Sequence, residues 1–130
     1  MADIKKILTE KAPAPIGPYS QAILVDSKFL YTAGQGPMDP ISTKIVEGGI
    51  KEQTRQVMKN LEAILLAGGA SFASVVKTTV FLKDMNEFAA MNEVYAEFFG
   101  EQKPARTTVE AKFATAEMKV EIDCIAYQPK

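Results

Sequence analysis

Apolar residues recur at Ile50, Val57, Met58, Leu61, Ile64 and Leu65, at spacings of three, four and seven, while Lys51, Glu52, Gln56 and Lys59 lie mostly off that stripe. This is the period of an amphipathic helix, and Gly68-Gly69 supplies its stop. A second helical pattern follows Asp84-x-x-Glu87, which matches a capping box. Phe88, Met91, Tyr95 and Phe98 form its expected buried stripe, and Gly100 ends it. Elsewhere the period is two. Met118, Val120, Ile122, Cys124 and Ala126 take one face of a closing strand over 119–127, with Lys119, Glu121 and Asp123 on the other. The charged side is either solvated or turned toward a wet interface between subunits. Cys124 falls on the apolar side, as a core thiol.

Shorter strands are predicted at 5–8, 22–25 and 29–32, the last two joined through Asp26-Ser27-Lys28 as a hairpin. Val75 to Leu82 is apolar or threonine at almost every position except Lys77 and reads as a central strand. Between the first strand and the hairpin, three prolines and a glycine within 12–19 force an extended loop that ends on Tyr19. Ala33-Gly34-Gln35-Gly36-Pro37 breaks the third strand, and residues 38–49 read as a loop. No Gly-Lys-Ser/Thr follows those glycines, so they are not read as a phosphate loop. The order is a strand, a hairpin, then α-β-α-β-β, which predicts one α+β domain over residues 1–130. Two helices would cover one face of a mixed sheet.

One stretch stands out for chemistry: Lys103-Pro104-Ala105-Arg106-Thr107-Thr108-Val109-Glu110. Proline fixes its own φ near about −65° and biases the preceding Lys103 away from the helical region. The β-branched residues that follow favour a strand. Arg106 is therefore expected at a strand mouth on a pre-set backbone, a mount suited to gripping a planar carboxylate through two parallel hydrogen bonds. The plain alternative is an ordinary solvated arginine.

Composition narrows the chemistry. The chain of 130 residues holds 15 basic and 16 acidic residues, so no electrostatic case for nucleic acid or an anionic membrane arises. One cysteine excludes an intrachain disulfide framework, and together with the absence of a secretory-type apolar run it makes the cytosol the expected compartment. The apolar runs are too short to span a bilayer. Zero histidines removes Ser-His-Asp and Cys-His catalysis and leaves only carboxylates for a zinc site. Chemistry must come from carboxylates, hydroxyls, arginine or lysine, and the backbone, with no metal or cofactor expected.

Several separated segments resemble one family in order and spacing: Ala14-Pro15-Ile16-Gly17-Pro18-Tyr19-Ser20-Gln21, Ala33-Gly34-Gln35, residues 76–84, Phe88-Ala89-Ala90-Met91-Asn92 and Pro104-Ala105-Arg106, with Glu121 in the closing strand. Over nearly its full length the chain resembles the RidA (reactive intermediate deaminase A, YjgF) family. The resemblance implies a chorismate-mutase-like fold assembled as a homotrimer with clefts between subunits. It also implies hydrolysis of 2-iminobutanoate and 2-iminopropanoate, released by pyridoxal-phosphate enzymes, to 2-oxo acids and ammonia without metal or cofactor. By matching position, Arg106 would bind the carboxylate and be essential, and Glu121 would orient or activate water. Tyr19, Gly34 and Asn92 would line the pocket. Ala33 stands where many members carry serine, and Thr108 where many carry cysteine, so a pocket thiol cannot be required here.

Each residue keeps a bland competitor. Glu121 could be a solvated or salt-bridged strand carboxylate, Tyr19 an interface packing residue, Asn92 a helix-surface amide, and Gly34 merely a turn. Lys77 is a candidate partner for Glu121 or Asp123 across the sheet. Competing functions are a carboxylate-binding regulatory module without useful catalysis, and the ribonuclease or chaperone activities described for some relatives. Near-neutral charge and the lack of histidine argue against RNA cleavage.

Overall fold

The computed structural model describes residues 3–129. Six strands form one mixed sheet: β1 (Ile4–Ile7), β2 (Ala22–Val25), β3 (Phe29–Thr32), β4 (Val75–Leu82), β5 (Ala105–Glu110) and β6 (Val120–Tyr127), in the order β1-β2-β3-β6-β4-β5. Every pair is antiparallel except β4 with β5. A parallel pair needs a long crossover, and helix α2 (Phe88–Phe99) makes it. The α+β architecture expected from the sequence is therefore present, with β5 at one edge.

Helix α1 (Ile50–Ala67) buries the whole expected stripe. It also buries three polar residues that periodicity did not place inside: Gln53, Thr54 and Asn60. Two of them fasten loops. The Gln53 amide donates to the Glu117 carbonyl and accepts from the Lys119 N–H, both at 2.8 Å. Asn60 donates to the carbonyls of Gly36 (3.1 Å) and Met38 (2.9 Å). The segments entering β6 and leaving β3 are thus tied to one helix. At the end of α1 the chain turns through Gly69 at φ 78°, which only glycine adopts without strain.

The helices lie together on the face defined by Leu24, Leu30, Thr78, Val80, Leu82, Val120, Ile122, Cys124 and Ala126. Cys124 is buried there, and burial pushes its thiol up to about 12, so it stays protonated. The alternate positions, including Phe29, Tyr31, Phe81, Glu121, Asp123, Ile125 and Tyr127, point to the other face.

Two local expectations need correction. Asp84 accepts from the Asn86 N–H at 2.9 Å and opens a short 3-10 turn over Met85–Glu87, so α2 begins only at Phe88. Glu87 does not complete a capping box; its carboxylate lies 4.0 Å from Lys119. The buried stripe also differs from the expected one. Val94 and Phe99 go inside, Phe98 packs at the margin, and Phe88 is left 37% exposed.

Candidate active site

The polypeptide leaves α2 through Gly100 and turns at Lys103, where φ is 41° rather than the extended value expected before proline. Pro104 then sets the chain into β5, and Arg106 pairs in register with Thr78 of the central strand. Thr78 faces the helices, so Arg106 does too. Its guanidinium carbon lies 4.8 Å from the centre of the Tyr95 ring and 5.4 Å from that of Phe88. Both fall within cation–π range. Among the described residues Arg106 forms no ion pair. A half-buried cation flanked by two rings and uncompensated by any carboxylate among the described residues can accept an anion.

Asn92 shares that helix face, four residues beyond Phe88 and three before Tyr95, positions that line up on an α-helix. It is not a surface amide: its Oδ1 is buried and has no hydrogen-bond partner among the described residues. Thr108 follows Arg106 by two residues on the same face, opposite Val80 and half-buried. Arg106, Thr108, Asn92, Phe88 and Tyr95 thus occupy the helix side of the sheet near the β5 edge.

Gly34 and Glu121 form a second group. Gln35 pairs with Ile122 through hydrogen bonds of 2.9 and 3.1 Å, which brings the end of β3 alongside β6. A Cβ on Gly34 would lie 2.8 Å from the Glu121 carboxyl carbon and would collide with one of its oxygens. Glycine is needed here for close approach. Ala33 donates its N–H to the Gln21 carbonyl at 2.8 Å, so the Tyr19–Gln21 segment runs beside Ala33 and Gly34. Gln21 is itself buried and clamps the proline-rich loop: its amide accepts from the Thr9 N–H (2.7 Å) and donates to the carbonyls of Thr9, Ala12 and Pro13. Tyr19 is half exposed at the loop's end, and its hydroxyl accepts from the Ile16 N–H at 3.2 Å.

Burial, and next the negative charge of Asp123, raise the Glu121 carboxyl above its ordinary range. Asp123 is raised by its own burial, against the opposing pull of Thr79 and Lys77. Lys77 forms no ion pair with either acid; its ammonium donates to the Thr107 hydroxyl at 2.7 Å.

The two groups do not meet within one chain. Arg106 projects from the helix face of β5. Glu121, opposite Phe81, projects from the other face of β6, with β4 between them. The separation is two strand spacings, about 10 Å, plus the thickness of the sheet. Tyr19, Ala33 and Gly34 go with Glu121, whereas Asn92 and Thr108 go with Arg106. The candidate residues thus fall into two groups on opposite faces of the sheet. Sequence reasoning overlooked Tyr95 and Phe88 as the platform for Arg106. The available signal was their spacing with Asn92, but Phe88 and Tyr95 equally fit a buried stripe.

The model of the family described as Endoribonuclease L-PSP matches residues 9–128. The chain belongs to this family, the RidA/YjgF family. A RutC family protein of Pyrococcus horikoshii is 58% identical over 122 residues, covering 94% of this chain and 96% of that protein. A 2-iminobutanoate/2-iminopropanoate deaminase of Mus musculus is 48% identical over 124 residues, covering 95% and 91%. Among solved structures, E. coli TdcF with bound serine superposes with a TM-score of 0.88 at 37% identity, covering 96% of this chain and 99% of that one. Within this RidA/YjgF chain, no helix among the described residues is long and apolar enough to cross a membrane.

Proposed function

We propose that the protein is a 2-iminobutanoate/2-iminopropanoate deaminase that acts without metal or cofactor. We further propose that it works as a homotrimer whose clefts join the Arg106 half-site of one subunit to the Glu121 half-site of the next. The observation that carries this reading is the unpaired guanidinium of Arg106 on its aromatic platform, in a family with relatives named for this activity. An assembly between copies is supported by the separation of the half-sites and by the exposed apolar residues on the uncovered sheet face, Phe29, Tyr31 and Tyr127. The half-sites are different surfaces, so joining them is a head-to-tail contact, which forms a ring where the rotation between subunits closes. The resemblance to the family supplies the number three.

Arg106 fixes the carboxylate of the 2-imino acid bidentately, a charge-assisted contact worth about 1.5–3 kcal/mol net. Fixing that end aims the adjacent C=N carbon. The Glu121 carboxylate accepts a proton from water as the water oxygen bonds to that carbon and the C=N π pair moves onto nitrogen. The protonated Glu121 returns the proton to nitrogen. Glu121 then takes the proton of the new hydroxyl and passes it to the amine nitrogen; as the oxygen closes to the 2-oxo group the C–N bond breaks and its electron pair leaves with ammonia. Glu121's raised pKa suits both halves of this exchange, since a less acidic carboxyl is a stronger base toward water and holds the proton until nitrogen takes it. The buried, unpartnered oxygen of Asn92 can accept from the imine or amine nitrogen. Tyr19, Ala33, Gly34 and Thr108 bound the space around the side chain. With a threonine at 108 the cycle proceeds without a thiol.

Formation of 2-oxobutanoate from 2-iminobutanoate generated by a threonine dehydratase tests the proposal. The protein accelerates the step, Arg106→Ala abolishes the acceleration, and Arg106→Lys restores little because the planar fork is lost. No acceleration by the unaltered protein would favour a binding module instead, and unaltered rates in Arg106→Ala would overturn the site. Ribonuclease activity, which the family description suggests, finds no histidine and no basic cluster in the sequence.

A further inference from the structure

The platform beneath Arg106 is fastened more firmly than a core aromatic requires. Tyr95 is buried, and its hydroxyl lies 2.7 Å from the Thr78 hydroxyl. Its ring packs against Phe99 at 4.6 Å between centres, and Phe99 packs edge-on against Phe72 at 5.0 Å. Thr78 is also the register partner of Arg106 across the parallel β4–β5 pair. One residue of the central strand therefore fixes both the start of the arginine side chain and the ring over which its far end lies. A long flexible cation would otherwise lose much of its rotamer freedom when it grips a ligand. Arg106 gives up much of that freedom in advance.

We propose that Tyr95, pinned by Thr78, is a positioning residue. It holds the guanidinium flat and aimed out of the β5 edge, so that a carboxylate meets a pre-set fork. The inference rests on the reading of Arg106 as the carboxylate-binding residue. Tyr95 itself touches no reacting atom. Burial raises its hydroxyl above the usual tyrosine value, with the Thr78 hydrogen bond and the Arg106 charge pulling the other way. The ring thus acts as a neutral π-face and hydrogen-bonded anchor, not as a counter-ion.

The test uses the intact protein in its native assembly, with 2-oxobutanoate as the binding probe and 2-iminobutanoate turnover as the second readout. Tyr95→Leu keeps an apolar filler but removes the π-face. It weakens 2-oxobutanoate binding and raises KM about tenfold, with kcat changed less than about twofold. Tyr95→Phe and Thr78→Val each delete the same hydrogen bond. Each raises Kd about threefold, and the double variant is no worse than either single one.

A purely structural role would lower Tm and kcat and leave KM alone, and that pattern would overturn the proposal. Should Tyr95→Leu fail to fold, the Phe and Val variants decide: unaltered Kd in both, or fully additive losses, contradicts the pinning. Arg106→Ala separates the two layers. If it binds 2-oxobutanoate normally, the carboxylate reading itself fails. If it loses binding while every Tyr95 and Thr78 variant keeps the unaltered Kd, only the positioning role fails.

Discussion

Gly34→Ala isolates the contact on which the Glu121 half-site is built. Gly34 does not lie in the left-handed region, so alanine is compatible with its backbone. The added methyl is the whole perturbation. It would sit 2.8 Å from the Glu121 carboxyl carbon and 3.1 Å from Cγ. Ordinary contact between carbons is about 3.5–4 Å, so the carboxyl group must retreat by roughly an ångström. It is the end of a flexible side chain on a partly open face, which makes swinging aside cheap. Folding stability should change by less than about 1 kcal/mol. Catalysis is less tolerant, because a misplacement of about 1 Å in a reacting group costs about 10²-fold. In the coupled threonine dehydratase assay, Gly34→Ala is expected to lose about 10²-fold in kcat/KM with an unaltered melting transition. Adding it to Glu121→Gln should cost little more, since both act through one carboxylate. An unaltered rate in Gly34→Ala, or a full additional loss in the double variant, would refute the reasoning.

Two further changes probe other parts of the account. Asp123→Asn removes a negative charge that helps raise Glu121. The Glu121 pKa falls, and the acidic limb of the kcat/KM profile, where Glu121 must be ionised, moves to lower pH; a limb that stays put or moves up counts against Glu121 as the base. Gln21→Ala strips one acceptor and the donor to three carbonyls from the buried clamp on the proline-rich loop. Leaving such groups unpaired costs about 2–4 kcal/mol, so thermal unfolding should come roughly 10 °C earlier.

What the sequence disclosed depends on how local the determinant is. The α1 stripe and the alternation of β6 are dictated by residues a few positions apart, and both appear in the structure as expected. The turn at Asp84 misled because two uses of an aspartate look alike locally. Capping the helix and opening a 3-10 turn begin with the same carboxylate accepting nearby N–H groups. Buried Gln21, Gln53 and Asn60 were invisible to a hydrophobic pattern, since the backbone groups that satisfy them lie 8–66 residues away.

The division of the candidate site was the least legible feature. Alternation says that Arg106 and Glu121 each occupy some face of a strand. It does not say which faces coincide until the order β6-β4-β5 and the registers Thr78↔Arg106 and Phe81↔Glu121 are known. Those are tertiary facts. Lys77 illustrates the same point: its partner is set by a parallel neighbour strand, Thr107, and not by the acids across the antiparallel pair.

The most direct test of the two-half-site account is complementation between defective chains. Arg106→Ala and Glu121→Gln proteins, each nearly inactive, are unfolded together in equal amounts and allowed to reassemble. If each cleft takes its arginine from one subunit and its glutamate from the next, about a quarter of the clefts in random ring-shaped assemblies regain both groups. The mixture then recovers about a quarter of the unaltered activity. A mixture that reassembles fully and stays as inactive as its parents would show that the two residues do not act in one cleft between chains.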